Sequence, residues 1–210
     1  MDSVTIKEKP IIFSAESISA VLSGRKSQTR RVVKPQPVQT PDDAKNGYAD
    51  GYSWGEGKKF VWSKYESLLT DAMARRCPYG AVGDRLWVKE AYFYATGSVD
   101  DGPDLIHYKA DASPELLEVA ESHKLWNSPL FMPRVASRIT LELTEVRVER
   151  LQSMTEGDAV AEGYMYAGHG DDWLRADSYR TAWQKLNEKR GFPWESNPWV
   201  WKLSFSVVDQ

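Results

Sequence analysis

Arg25, Lys26, Arg30 and Arg31 crowd four cations around the hydroxyl of Thr29 within the run Ser23-Gly24-Arg25-Lys26-Ser27-Gln28-Thr29-Arg30-Arg31. Each neighbouring positive charge disfavours an ammonium, so the cluster lowers the pKa of Lys26. A lysine that is partly neutral can act as a base toward a hydroxyl three residues away. The same cations could instead hold a phosphate, and the ordinary reading is a solvated turn followed by a strand threonine. Cys77 sits in the turn-like Cys77-Pro78-Tyr79-Gly80 and reads as a buried structural thiol. His107, His123 and His169 are too far apart for metal-ligand spacing, so neither a metal nor another cofactor is expected.

The elements around the cluster decide whether these groups can meet. Ile11-Ile12-Phe13 reads as a short strand, Ser14 as an N-cap, and Phe13 with Ile18 as a hydrophobic staple of a helix near 14–23 that stops at Gly24. From Thr29 to Val33 the chain reads as extended. Alternation then puts Thr29 and Arg31 on one face, with Arg30 turned away from them. Residues i and i+3 of a regular strand point to opposite faces, so Lys26 meets Thr29 only if residues 26–28 form a turn. Residues 38–58 read as a long polar loop, Arg85 to Tyr94 as one strong strand, 97–103 as a second loop, 105–109 as a short strand and 114–124 as a helix. From Ser137 to Leu151 the apolar alternation shifts phase once, between Leu143 and Val146, which marks a bulge. Thr155 with Asp158 is a capping box opening a helix over 155–162 that stops at Gly163. A further helix is predicted over 178–189 and a last strand over 199–205.

Strands joined by loops or single helices, without regular βαβ alternation, indicate an α+β fold around a small β-barrel or strongly bent sheet. At 210 residues the chain fits one domain, 1–210, carrying insertions near 38–80 and 95–130. Its 27 Lys and Arg against 30 Asp and Glu leave a net charge of -3, so any nucleic-acid contact must be local. No apolar run is long enough to span a bilayer, the N-terminus lacks the apolar core of a secretory signal, and the single cysteine fits a reducing cytoplasm. Nine tryptophans are explained by packing, or for one or two of them by stacking on a nucleobase.

Three stretches together resemble the signatures of ASCH domains, small barrels of the PUA-like superfamily: Gly24 to Arg31, Val82-Gly83-Asp84-Arg85-Leu86-Trp87-Val88, and Ser153 to Gly163. Leu86 to Glu90, Met132 to Ile139 and Asn197-Pro198-Trp199-Val200-Trp201 resemble the ASCH-like proteins of bacteriophages and prophages more narrowly. Some single-domain members of that family are amidohydrolases that remove the acetyl group from N4-acetylcytidine. Lys26, Thr29 and Glu162 stand at the positions of their proposed catalytic set. The resemblance therefore implies an amidohydrolase acting on an N-acylated pyrimidine nucleoside, with Lys26 as base, Thr29 as nucleophile or water-positioning group and Glu162 as proton donor. Glu162 falls in the last turn of its helix, where the dipole disfavours a carboxylate. Candidate substrate contacts are Arg25, Arg31, Glu90, Ser137 and Arg138, Glu90 either pairing with an arginine or reading a base edge. The family also implies alternatives: an RNA- or nucleotide-binding module of phage origin without catalysis, a ribonuclease, or a phage accessory protein with a vestigial pocket. The expected ligand is a nucleoside or small RNA.

Overall fold

The computed structural model describes residues 6–40, 51–55, 61–63, 65–95, 105–164 and 175–208. In chain order the elements are β1 (Glu8–Ile12), α1 (Ala15–Leu22), β2 (Gln28–Val32), β3 (Val38–Thr40), β4 (Gly51–Trp54), β5 (Val61–Ser63), α2 (Glu66–Ala74), β6 (Arg85–Lys89), β7 (Tyr92–Ala95), β8 (Leu105–Tyr108), α3 (Pro114–Ser122), β9 (Thr140–Arg150), α4 (Glu156–Ala161), α5 (Arg175–Asn187) and β10 (Trp199–Val208). The fold is mixed α+β. Its main sheet runs β1-β6-β9-β10-β2, with β1 parallel to β6 and the remaining pairs antiparallel. β1 and β2 are its edges and no ladder joins them among the described residues. The expected barrel is thus an open sheet here.

The sheet bends at the place the alternation indicated. Leu143 pairs with Phe205 and Glu145 with Ser204, leaving Thr144 as the extra residue of a bulge. One face packs on the larger core, which includes Phe13, Ile18, Leu86, Leu141, Leu143, Trp201 and Leu203. Ile18, Leu86, Leu141, Leu143 and Leu203 are all fully buried, each worth about 1.5–3 kcal/mol of transfer free energy. The other face carries Leu151, Ala159, Tyr179, Trp183 and Val200, with Val32 packed against them.

The helices near the site follow their caps. The Ser14 hydroxyl accepts from the Ser17 amide, and Phe13 and Ile18 are both buried at the entrance of α1. α4 has a complete capping box: the Thr155 side chain accepts from the Asp158 amide, and the Asp158 carboxylate accepts from that of Thr155. Two strand readings need correction. The predicted strand over 85–94 breaks after Lys89, and residues 92–95 join β8 in a separate two-stranded sheet. At the break Glu90 is buried and pairs with Arg138. The predicted loop over 38–58 contains β3 and β4, which with β5 form a three-stranded sheet. Parts of that loop, 41–50 and 56–58, and the whole loop 97–103 lie outside the described residues.

Candidate functional site

Lys26 lies between α1 and β2, just after a turn set by Gly24 at φ 71°. The amides of Arg25 and Lys26 both donate to the carbonyl of Ala20, at 2.8 and 3.0 Å. Ser27 donates its amide to Ala161 at 2.8 Å, and its carbonyl accepts from Phe205 at 2.9 Å. These bonds, with an antiparallel bridge between Lys26 and Glu162, dock the end of α4 against the start of β2. Gly163, at φ 92°, completes the seat: a Cβ there would stand 2.9 Å from the Cβ of Ala20 and 3.3 Å from that of Lys26.

The turn brings Lys26 onto Glu162. Lys26 Nζ lies 2.7 Å from Glu162 Oε2 and donates to the Glu162 carbonyl at 2.9 Å, and the two side chains are 3% and 4% exposed. Burial is the main influence on the Lys26 ammonium and pushes it below the usual lysine range; Glu162 pulls the other way, and Arg31 and Arg30 add smaller downward pushes. The sequence attributed this lowering to neighbouring cations. The larger cause is the loss of water.

Arg30, expected to face away, also reaches Glu162. Its Nη1 is 3.4 Å from Glu162 Oε1, and its Nη2 lies 2.8 Å from Glu149 Oε1 and 3.2 Å from Asp158 Oδ2. Lys202 Nζ contacts the other Asp158 oxygen at 2.7 Å. Asp158 and Glu162 are four residues apart, so both carboxylates project from one face of α4 onto one guanidinium. Burial works against the Asp158 carboxylate, but Lys202, Thr155 and Arg30 outweigh it and hold its pKa well below the usual range. Tyr179 and Tyr164 line the same region; burial, then the Glu162 charge, raises both phenols, Tyr164 to about 12.

The opposite face of β2 carries Thr29 and Arg31. Thr29 is buried and pairs with Leu203 of β10, and Arg31 pairs with Trp201. The Arg31 guanidinium stands over the Phe13 ring at 5.4 Å, and Lys26 Nζ lies 5.7 Å from the same ring centroid. Arg31 Nη2 donates to the Ile12 carbonyl at 2.7 Å, while its buried Nε has no partner. Burial pushes its pKa down.

The remaining candidates lie elsewhere. Arg25 is exposed and its Nε donates to Ser23 Oγ at 2.8 Å. Glu90 forms a bidentate pair with Arg138, at 2.9 and 3.0 Å. Arg138 also pairs with Asp111 and lies 4.0 Å over the Tyr108 ring. The Ser137 hydroxyl bonds the Val88 carbonyl at 2.8 Å. Glu90, Ser137 and Arg138 thus form a second cluster, which shares no ion pair or side-chain hydrogen bond with Lys26, Thr29 or Glu162 among the described residues. Phe13 links the two, because its amide donates to the carbonyl of Lys89, next to Glu90. A cavity of about 680 Å³ beside α5, lined by Asp177, Arg180, Lys185 and Glu195 among others, includes none of these residues.

Sequence reasoning missed Arg30, Glu149, Asp158 and Lys202. The i, i+4 spacing of Asp158 and Glu162 could have flagged a shared cation; Glu149 and Lys202 gave no signal, because strand pairing alone brings them in. Among the described residues no group of three or more His, Cys, Asp and Glu side chains could hold a metal ion, and no helix is long and apolar enough to cross a membrane.

No protein-family model matches the chain, and neither does any curated protein. Among solved structures the chain is similar to a high-resolution crystal structure of an ASCH domain from Lactobacillus crispatus JV V101, at 11% identity and a TM-score of 0.39, over 96% of this chain and 79% of that one.

Proposed function

We propose that the protein is an amidohydrolase acting on an N-acylated pyrimidine nucleoside such as N4-acetylcytidine. The carrying observation is the buried Lys26–Glu162 pair at 2.7 Å, three residues before a buried threonine. The motif resemblance to ASCH amidohydrolases supplies the substrate class.

Chemically, the pair can exchange a proton without separating charge. Burial favours the neutral amine of Lys26, and Glu162 can hold the proton it gives up. The amine then takes a proton from Thr29, or from a water that Thr29 orients, and the freed oxygen attacks the acyl carbon. Arg31 lies on the same strand face as Thr29 and can contact the substrate. The C–N bond breaks as Glu162 delivers its proton to the departing N4 amine. Attack by water gives acetate and cytidine directly. Attack by Thr29 gives an acyl-threonine, which a water hydrolyses with Lys26 again as base.

The test is incubation with a panel of N4-acylcytidines and short RNAs, followed by identification of products. Release of cytidine and the matching acid, lost in Thr29→Val, is the expected result. Cleaved RNA with intact N4-acylcytidine would replace this reading with the ribonuclease one. A second reading, a binding module without catalysis, draws on the unpaired Arg31 and predicts RNA binding with steep salt dependence and no product.

A further inference from the structure

We infer that the ligand of this site carries a phosphate and that Arg31 binds it, so that the preferred ligand is a nucleotide rather than a nucleoside. The inference rests on the reading of the site as one for a pyrimidine nucleoside and adds the charge of the ligand. Three cations, Lys26, Arg30 and Lys202, pair with three carboxylates, Glu149, Asp158 and Glu162, while Arg31 lies on the other face of β2. All the ion pairs fall to Lys26, Arg30 and Lys202. Arg31 has no carboxylate within ion-pair distance among the described residues, and its enclosed Nε donates to nothing.

Such a cation is costly. Taking a charge out of water is repaid only by a partner of opposite sign, and Lys26 over the same Phe13 ring adds like-charge repulsion. Its one hydrogen bond is from Nη2 to the Ile12 carbonyl, and beyond that it stands on the aromatic face of Phe13, so most of its donors are left for a ligand. A neutral acyl nucleoside offers this charge no partner of opposite sign. A phosphate would meet it permanently, through charge-assisted bonds to Nε and to the terminal nitrogens. Arg31 also lies on the Thr29 face of β2, so an anion held there sits on the side of the strand where the proposed nucleophile lies. Arg30, one residue away, has its charge consumed by α4 and β9 and is unavailable for this role.

Titration calorimetry at low salt, with cytidine, cytidine 5′-monophosphate and a cytidine trinucleotide as probes, tests the inference without any turnover. The mononucleotide should bind about 10–100-fold more tightly than cytidine, the range for one charge-assisted contact. In Arg31→Met the two should bind alike, with cytidine affinity unchanged; Arg31→Gln serves the same purpose if the methionine variant melts early. Tighter binding of the trinucleotide than of the mononucleotide, lost in the same variants, would assign the phosphate to an RNA strand. Equal affinity of wild type for cytidine and its monophosphate overturns the inference, as does a preference that survives loss of Arg31 or a failure of all three probes to bind. Hydrolysis of acylcytidine without a preference for the monophosphate sinks only the phosphate site. A preference for the monophosphate without hydrolysis sinks only the enzyme.

Discussion

Arg30 and Arg31 are neighbours in sequence and opposites in setting. Arg30 faces α4 and α5 and holds Glu149, Asp158 and Glu162. Arg31 faces the larger core, rests on Phe13 and holds no carboxylate among the described residues. The pleat of one edge strand therefore separates a cation that fastens three carboxylates from one with no ion pair among the described residues. A buried charge with partners is hard to remove, because its removal strands the partners. A half-buried cation held by one carbonyl and an aromatic face, with no carboxylate to strand, can be removed at less cost to the fold.

The largest expected effect is on the fastened side. Arg30→Met leaves three carboxylates without their shared cation and should lower unfolding free energy by about 3–5 kcal/mol, the usual result of breaking a buried pair from one end. Urea denaturation measures it, and a loss below about 1 kcal/mol would make the network ornamental. Gly163→Ala comes next. Its Cβ would press on Ala20 and Lys26 from a left-handed backbone position, at about 1–3 kcal/mol. Turnover should fall with stability, because the alanine disturbs the seat of Lys26. Pairing it with Ala20→Gly should recover part of both.

Acid titration sharpens the contrast further. The Asp158 carboxyl has a folded pKa below its unfolded value. Its stabilising contribution is therefore complete above about pH 4, the ordinary aspartate range, and is lost as pH falls toward the folded pKa. Unfolding free energy measured below that pH should depend less steeply on pH in Asp158→Asn than in wild type. The smallest effect belongs to Arg31→Met, which should leave the melting midpoint unchanged or raise it. A clear drop in midpoint would mean that Arg31 is a structural cation like its neighbour.

Much of this geometry was legible before any coordinates. The capping box at Thr155 and Asp158, the staple of Phe13 and Ile18, and the bulge near Thr144 are local patterns with fixed spacing. The turn expected at 26–28 lies earlier, at Ser23 and Gly24; Lys26 is already in a bridge to Glu162 and β2 starts at Gln28. The small sheet of β3, β4 and β5 was not legible, because strands of three or four residues are too short to display a period. The partners of Arg30 were hidden for another reason. Glu149 and Lys202 come from strands more than a hundred residues away, and only the register of β2, β10 and β9 brings them close. Glu90 and Arg138 were identified as charged residues, and their pairing with each other in a separate cluster needed the tertiary fold.

The central claim is that the buried Lys26–Glu162 pair moves protons during amide hydrolysis. Its most direct test is the rate of cytidine release from N4-acetylcytidine by wild type, Lys26→Arg and Glu162→Gln, each checked for folding by thermal melt. Lys26→Arg should abolish release, since a guanidinium stays protonated at any working pH, and Glu162→Gln should slow it by about 10²–10⁴, the usual worth of a general acid. Release at the wild-type rate by folded Lys26→Arg, or no release by wild type at high enzyme concentration, would contradict the account.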